Sequence, residues 1–276
     1  MKKVIVSSSF DNLSSRDMRF LEEASKLGEV HVLLWSDEAV QKIAGSAPKF
    51  PIAEREYFVQ ALRYVKAIHF SGPDLEANAL PEIEGLKPEI WAVEPKNDTP
   101  EKAAFAKANG LEYRVITEQE TAGLPGLSEP VGQPSGPATG KKKVVVTGCY
   151  DWFHTGHVRF FEEVSELGDL YVVAGHDENI RLLKGDGHPM FKEDERRYIA
   201  GSLRYVTQAL VSSGTGWMDA EPEIALIKPD MYAVNEDGDK PEKREFCAKH
   251  DIEYVVLKRA PKPGLTRRSS TDLRGF

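Results

Sequence analysis

His154-Thr155-Gly156-His157 follows closely on the β-branched run Lys143-Val144-Val145-Val146-Thr147-Gly148. Two imidazoles three residues apart at the start of a helix share one face, about 5–6 Å apart at Cβ. The glycine between them removes a side chain that would keep a phosphate away from the backbone. A helix amino end adds unpaired N–H donors and partial positive charge. Together these could hold a triphosphate and stabilise the negative charge that builds while its α-phosphorus is attacked. Two other readings compete. One is a buried histidine beside a surface one; the other is a zinc site completed by His176 or His188, for which no acidic or cysteine third ligand is spaced with the pair.

Such a pair needs a rigid frame. Short β-branched runs alternate with helical stretches through the second half of the chain. Strands are expected near 143–147, 170–174, 208–212, 231–234 and 254–257, and helices near 156–167, 178–183, 193–204, 218–227 and 241–249. This alternation implies an α/β fold, with a parallel sheet covered by helices on both faces and right-handed crossovers. Ligands in such sheets bind beyond the strand carboxyl ends, where strand order reverses. His154 and His157, just after the first strand of this half, fall where that rule expects a site.

The frame occurs twice. Lys2-Lys3-Val4-Ile5-Val6 matches Lys142-Lys143-Val144-Val145-Val146 in kind, Phe10-Asp11 matches Tyr150-Asp151, and Arg19-Phe20-Leu21-Glu22-Glu23 matches Arg159-Phe160-Phe161-Glu162-Glu163. After a one-residue shift, Arg55 pairs with Arg196, and Leu62-Arg63-Tyr64-Val65 with Leu203-Arg204-Tyr205-Val206. Repeats of over a hundred residues are domain copies, not solenoid units. We therefore expect two tandem Rossmann-like domains, 1–117 and 141–276. The Gly/Pro/Ser-rich stretch 118–140 reads as a flexible linker. Where the second copy has His154, Gly156, His157 and Lys184, the first has Ser14, Arg16, Asp17 and Ala44. Copy one is accordingly expected to be non-catalytic.

Gly148-Cys149-Tyr150-Asp151-Trp152-Phe153-His154-Thr155-Gly156-His157 resembles the pattern G-x-[FY]-D-x-[FL]-H-x-G-H of the cytidylyltransferase-like nucleotidylyltransferases. Lys184-Gly185, Glu195-Arg196 and Ser269-Ser270-Thr271-Asp272-Leu273-Arg274 continue the resemblance in order and spacing. The first motif is nearest to ethanolamine-phosphate and glycerol-3-phosphate cytidylyltransferases. Leu183-Lys184-Gly185-Asp186-Gly187-His188-Pro189 is nearer to the nucleotidylyltransferase domain of ADP-heptose synthases.

The resemblance implies transfer of CMP from CTP, or of AMP from ATP, to a small phosphorylated alcohol or sugar with release of pyrophosphate. It assigns His154, His157 and Lys184 to catalysis. Gly148, Tyr150, Asp151, Gly156, Ser269, Ser270 and Thr271 are assigned to the nucleotide. Asn235 and Asp237 are placed either for ribose or base contacts or as loop-turn residues. Arg259, Arg268 and Arg196 are candidate phosphate contacts, Arg196 being equally well structural because Arg55 survives in the other copy. Mg²⁺ is expected to arrive with the triphosphate. Single-copy relatives pair as homodimers, so copy one is expected to pack on copy two as a pseudo-dimer. Two departures stand out: a longer loop from Ala260 to Thr266, and His188 where the sugar-phosphate relatives carry arginine.

Composition excludes several alternatives. The chain has 276 residues, a net charge of −8 and 41% hydrophobic content, with no apolar run long enough to span a bilayer. That balance argues against nucleic acid as a partner. A relative of class I aminoacyl-tRNA synthetases is disfavoured for the same reason, and no KMSKS-like run is present. The segment 258–276 is locally basic, with Lys258, Arg259, Lys262, Arg267, Arg268 and Arg274 against Asp272. A cationic tail on an acidic body suits a small polyanion, or is merely solvated. Cys149 and Cys247 are too few and too far apart for a disulfide framework, which fits a reducing cytoplasm. A nucleotide-binding regulator without turnover is the main rival to an enzyme.

Overall fold

A computed structural model describes residues 1–126, 129–134, 139–270 and 273. The chain divides into two units, Met1–Gly123 and Leu124–Phe276. Unit 1 runs β1 (Lys3–Ser8), α1 (Ser15–Ser25), β2 (Glu29–Leu34), α2 (Asp37–Ala44), α3 (Ile52–Ala61), β3 (Val65–Phe70), β4 (Ile90–Val93), α4 (Pro100–Ala108) and β5 (Glu112–Val115). Unit 2 runs β6 (Lys143–Gly148), α5 (Thr155–Ser165), β7 (Asp169–Ala174), α6 (Asp177–Lys184), α7 (Glu193–Gly201), β8 (Val206–Val211), α8 (Glu221–Ile227), β9 (Met231–Asn235), α9 (Pro241–Lys249) and β10 (Glu253–Leu257).

Each unit folds as an all-parallel five-stranded sheet. The strand orders are β3-β2-β1-β4-β5 and β10-β9-β6-β7-β8, one topology used twice. From the first strand of each unit the chain moves to one side for two strands, then returns to the other flank. The reversal falls between β6 and β9 in unit 2. Their pairing stops at Val145–Tyr232, although β6 continues to Gly148. The strand ends splay there, opening a crevice at the switch point.

Helix α5 owes its place to spacing. Val158, Phe161 and Val164 recur every three residues, are fully buried, and face the sheet. Burying each stabilises the unit by about 1.5–3 kcal/mol. On the opposite face, Tyr171, Leu210, Ile224, Ile227 and Tyr232 form a second buried cluster.

Two features depart from expectation. Part of the stretch read as linker is packed onto unit 2: the Gln208 side chain donates to Pro130 O and accepts from Gly132 N, and Val131 joins the second cluster. In unit 1, no helix corresponds to α8. Residues 71–89 cross that face as irregular chain, with Leu75 and Leu86 buried against Leu33 and Trp91. Among the described residues, no helix is long and apolar enough to cross a membrane.

Candidate active site

The loop leaving β6 is held in a strained shape. Tyr150 (φ 54°) and Trp152 (φ 49°) both occupy the left-handed region. Unit 1 repeats this with Phe10 (φ 43°) and Asn12 (φ 57°). Gly148 makes the fold-back possible: a Cβ there would lie 2.9 Å from the Tyr150 ring. Asp151 fixes the loop's far side, accepting from Met190 N (2.9 Å) and Phe191 N (3.0 Å). Asp11 does the same for Lys49 and Phe50 in unit 1.

The buried arginine of α7 completes this frame. Arg196 is fully buried; its Nε donates to Phe191 O, and its two terminal nitrogens donate to Cys149 O, to Gly175 O and to the Asp177 carboxylate, at 2.5–2.9 Å. Arg55 makes the equivalent bonds to Phe50 O, Ser9 O, Trp35 O and Asp37. Its guanidinium is thus committed to stitching loop ends together, which corrects the phosphate-contact reading. Asp151 likewise spends both carboxylate oxygens on backbone amides.

On this frame His154 caps α5. Its Nδ1 accepts from Gly156 N at 3.0 Å, and His154 N donates to His157 Nδ1 at 3.4 Å. In unit 1 Ser14 and Asp17 form the same reciprocal cap. The two positions are therefore structural in both units, but imidazoles only in one. Each Nδ1 accepts an amide proton, so in the neutral ring Nε2 carries the hydrogen. The rings stack with centroids 4.0 Å apart and 27° between planes. Burial holds the His157 pKa well below 6.5, and the neighbouring charges of His154, Arg259 and Lys184 push it the same way.

Gly156 proves to serve the ring more than the ligand. Its amide is already given to His154, and a Cβ would sit 2.8 Å from that imidazole. This modifies the expectation that its backbone is bared for a phosphate.

A cavity of about 310 Å³ opens at the crevice. It brings together His154, His157, Lys184, Gly148, Tyr150, Asp151, Gly156, Asn235, Asp237, Arg259, Ser269 and Ser270. Lys184 is exposed at the end of α6, and Asn235 ends β9. Ser270 Oγ donates to Asp151 O at 2.8 Å, docking the last segment over the loop. Thr271 lies outside the described residues.

Of the tail cations, Arg259 reaches this cavity and is ion-paired with Asp237. Arg267 and Arg268 instead line an adjoining recess of about 20 Å³ with Arg159 and Lys262. The structure thus places Arg268 at this recess and Arg259 at both it and the main cavity. His176, the candidate zinc partner, caps α6 through Nδ1 and meets Gly214 O through Nε2. Among the described residues, no group of three or more His, Cys, Asp or Glu is arranged to hold a metal.

Lining residues that escaped the sequence reading include Thr147, hydrogen-bonded to Tyr232 Oη at 2.5 Å, Phe160 and Lys243. Lys243 could have been noticed, because Lys102 stands at its place in the first copy. Tyr150 carries a further signal. It is 6% exposed, its ring meets those of His157 and Phe161 edge-on, and its hydroxyl has no hydrogen-bond partner among the described residues. Burial pushes its pKa well above 10.

An open parallel sheet whose first helix carries paired imidazoles at a cation-lined crevice is the architecture of a nucleotidyltransferase-type α/β domain. The sequence comparisons agree. The chain belongs to the cytidylyltransferase-like family, whose model matches residues 145–274. An FAD synthase of Ferroglobus placidus is 36% identical over 120 residues, covering 42% of this chain and 75% of that protein. A bifunctional protein HldE of Desulfatibacillum aliphaticivorans is 39% identical over 93 residues, covering 33% of this chain but only 18% of its own length. A solved lipopolysaccharide core biosynthesis protein of Thermoplasma volcanium matches 44% of this chain and 99% of its own, at 25% identity and a TM-score of 0.38.

Proposed function

We propose that unit 2 transfers a nucleoside monophosphate from CTP or ATP to a small phosphorylated acceptor and releases pyrophosphate. The observation carrying this reading is the stacked His154–His157 pair, each Nδ1 bonded to the backbone, at the mouth of the switch-point crevice. An acceptor phosphate oxygen would attack the α-phosphorus in line; the new P–O bond forms as the bond to the β-phosphate oxygen breaks. The Nε2–H groups of the two histidines would donate to oxygens of the pentacoordinate phosphorus. Lys184, at the rim, would offset the repulsion between acceptor and α-phosphate. Ser269 and Ser270 would meet the outer phosphates, with Arg259 joining once it leaves Asp237. Positioning and charge suffice, so no covalent intermediate is required.

Mg²⁺ would neutralise charge on the outer phosphates. Of the two carboxylates that line the cavity among the described residues, Asp151 is spent on amides, so Asp237 is the side chain suited to a water-mediated contact with the ion.

The first motif favours CTP. ATP is the second reading, supported by the relative named for synthesis of FAD, an adenine dinucleotide. Unit 1 we read as non-catalytic. Ser14 and Asp17 replace the imidazoles, and the indole of Trp35, at the place of Gly175, donates to Ser7 Oγ at 2.9 Å. We further propose that unit 1 packs on unit 2 as a pseudo-dimer, so that the full chain sediments as a monomer. A reducing compartment fits the two free thiols, Cys149 and Cys247.

The test is pyrophosphate release from CTP and from ATP across phosphorylated alcohols and sugars. Release with one nucleotide and one acceptor class supports the enzyme. Tight nucleotide binding with no release across the panel would instead favour a regulator.

A further inference from the structure

Lys243 projects from the first turn of α9 into the cavity and has no part in the mechanism above. Its ammonium lies 5.5 Å from the centroid of the Tyr232 ring, and no carboxylate lies within ion-pair distance among the described residues. Burial and Lys240 lower its pKa, while Asp219, Asp239 and Cys247 oppose that shift without bonding to it. A half-buried ammonium resting on a ring face, without an acid, is costly to leave uncompensated.

Unit 1 supplies the control. Lys102 occupies the same turn of α4, and its ammonium donates to Asn97 O at 2.6 Å. In unit 2 the equivalent lysine faces the cleft instead of a carbonyl. The difference lies in the unit that also carries the paired imidazoles.

We propose that Lys243 is a further nucleotide-binding residue, its ammonium contacting a phosphate oxygen from the α9 side of the cleft. The inference rests on the reading of unit 2 as a nucleotidyltransferase. A desolvated cation interacts more strongly with an oxyanion than a solvated one does. Lys184 enters from α6 and Arg259 from beyond β10, so Lys243 adds positive charge from a third element.

The test uses the full chain and two variants, Lys243→Met, which keeps the aliphatic stem on Tyr232, and Lys243→Arg, which keeps the charge. Binding of CTP, ATP and inorganic pyrophosphate is measured by calorimetry, alongside thermal unfolding without ligand. At least tenfold weaker nucleotide binding in Lys243→Met, partial rescue in Lys243→Arg and an undiminished melting temperature support the proposal. Loss with pyrophosphate as well assigns the contact to the outer phosphates; loss with the nucleotides alone assigns it to the α-phosphate. Wild-type affinity in Lys243→Met overturns it, as does a lowered melting temperature with unchanged affinity, which marks a structural lysine. Binding is read without turnover, so a wild type that binds nucleotide but releases no pyrophosphate defeats the enzyme reading alone.

Discussion

Arg196 and Arg55 occupy the same place in the two units, each buried and each bonded to the carbonyls of loop ends and to an aspartate of the preceding helix. Unit 1 lacks the imidazole pair yet keeps this arrangement, so the arginine belongs to the fold. Arg196→Met should destabilise the protein by about 3–5 kcal/mol, because it leaves the partly buried Asp177, the buried Gly175 carbonyl and two part-buried carbonyls without their donor. Denaturant unfolding checks this. Unchanged stability with lost nucleotide affinity would restore the phosphate role.

His157 should impose a pH slope on stability. Held neutral by burial, it takes up its proton on unfolding, so the folded chain binds fewer protons. Its contribution is therefore full above about pH 6.5 and is lost as pH falls below that value. His31 and His69 are shifted the same way, chiefly by burial, and add a slope of their own. The His157 share is the difference between wild type and His157→Gln in melting temperature against pH. Parallel curves would count against it.

Much of the frame was legible because periodicity reports burial directly. The β-branched run at 143–147, the apolar run at 231–234 and the three-residue spacing of Val158, Phe161 and Val164 specify where a strand or helix must face the core. The motif also named most of the cavity's lining. What pattern could not show was which polar side chains are consumed by the backbone. The resemblance marks Asp151 as a ligand contact and leaves Arg196 open between a phosphate and a structural role; their bonds to Phe191 and Cys149 show how each is spent. The irregular cover of 71–89 was hidden for another reason: Leu75, Leu80, Ile83 and Leu86 can cover the sheet face without a helix.

Tyr150→Phe should stabilise the chain. The hydroxyl is buried without a partner, which costs about 1–3 kcal/mol, and Phe10 shows that phenylalanine fits the same left-handed position. An increase in unfolding free energy at constant m-value is the expected result. A loss would show that the hydroxyl is satisfied in solution.

Asp237 holds Arg259 in a partly exposed ion pair. Asp237→Asn should release the guanidinium and remove a negative charge from the cleft. Inorganic pyrophosphate should then bind about fivefold more tightly, matching the ~1 kcal/mol scale of such pairs. Calorimetry at low salt reads the change. Weaker pyrophosphate binding would show that the pair, not the free arginine, forms the anion site.

The most direct measurement is pyrophosphate release by the full chain with its preferred nucleotide and acceptor, in wild type and in His157→Ala. The stacked imidazoles predict a fall in kcat of about 10²–10³-fold in the variant, with the fold intact by circular dichroism. Turnover at the wild-type rate without His157 would contradict the assignment of chemistry to this pair.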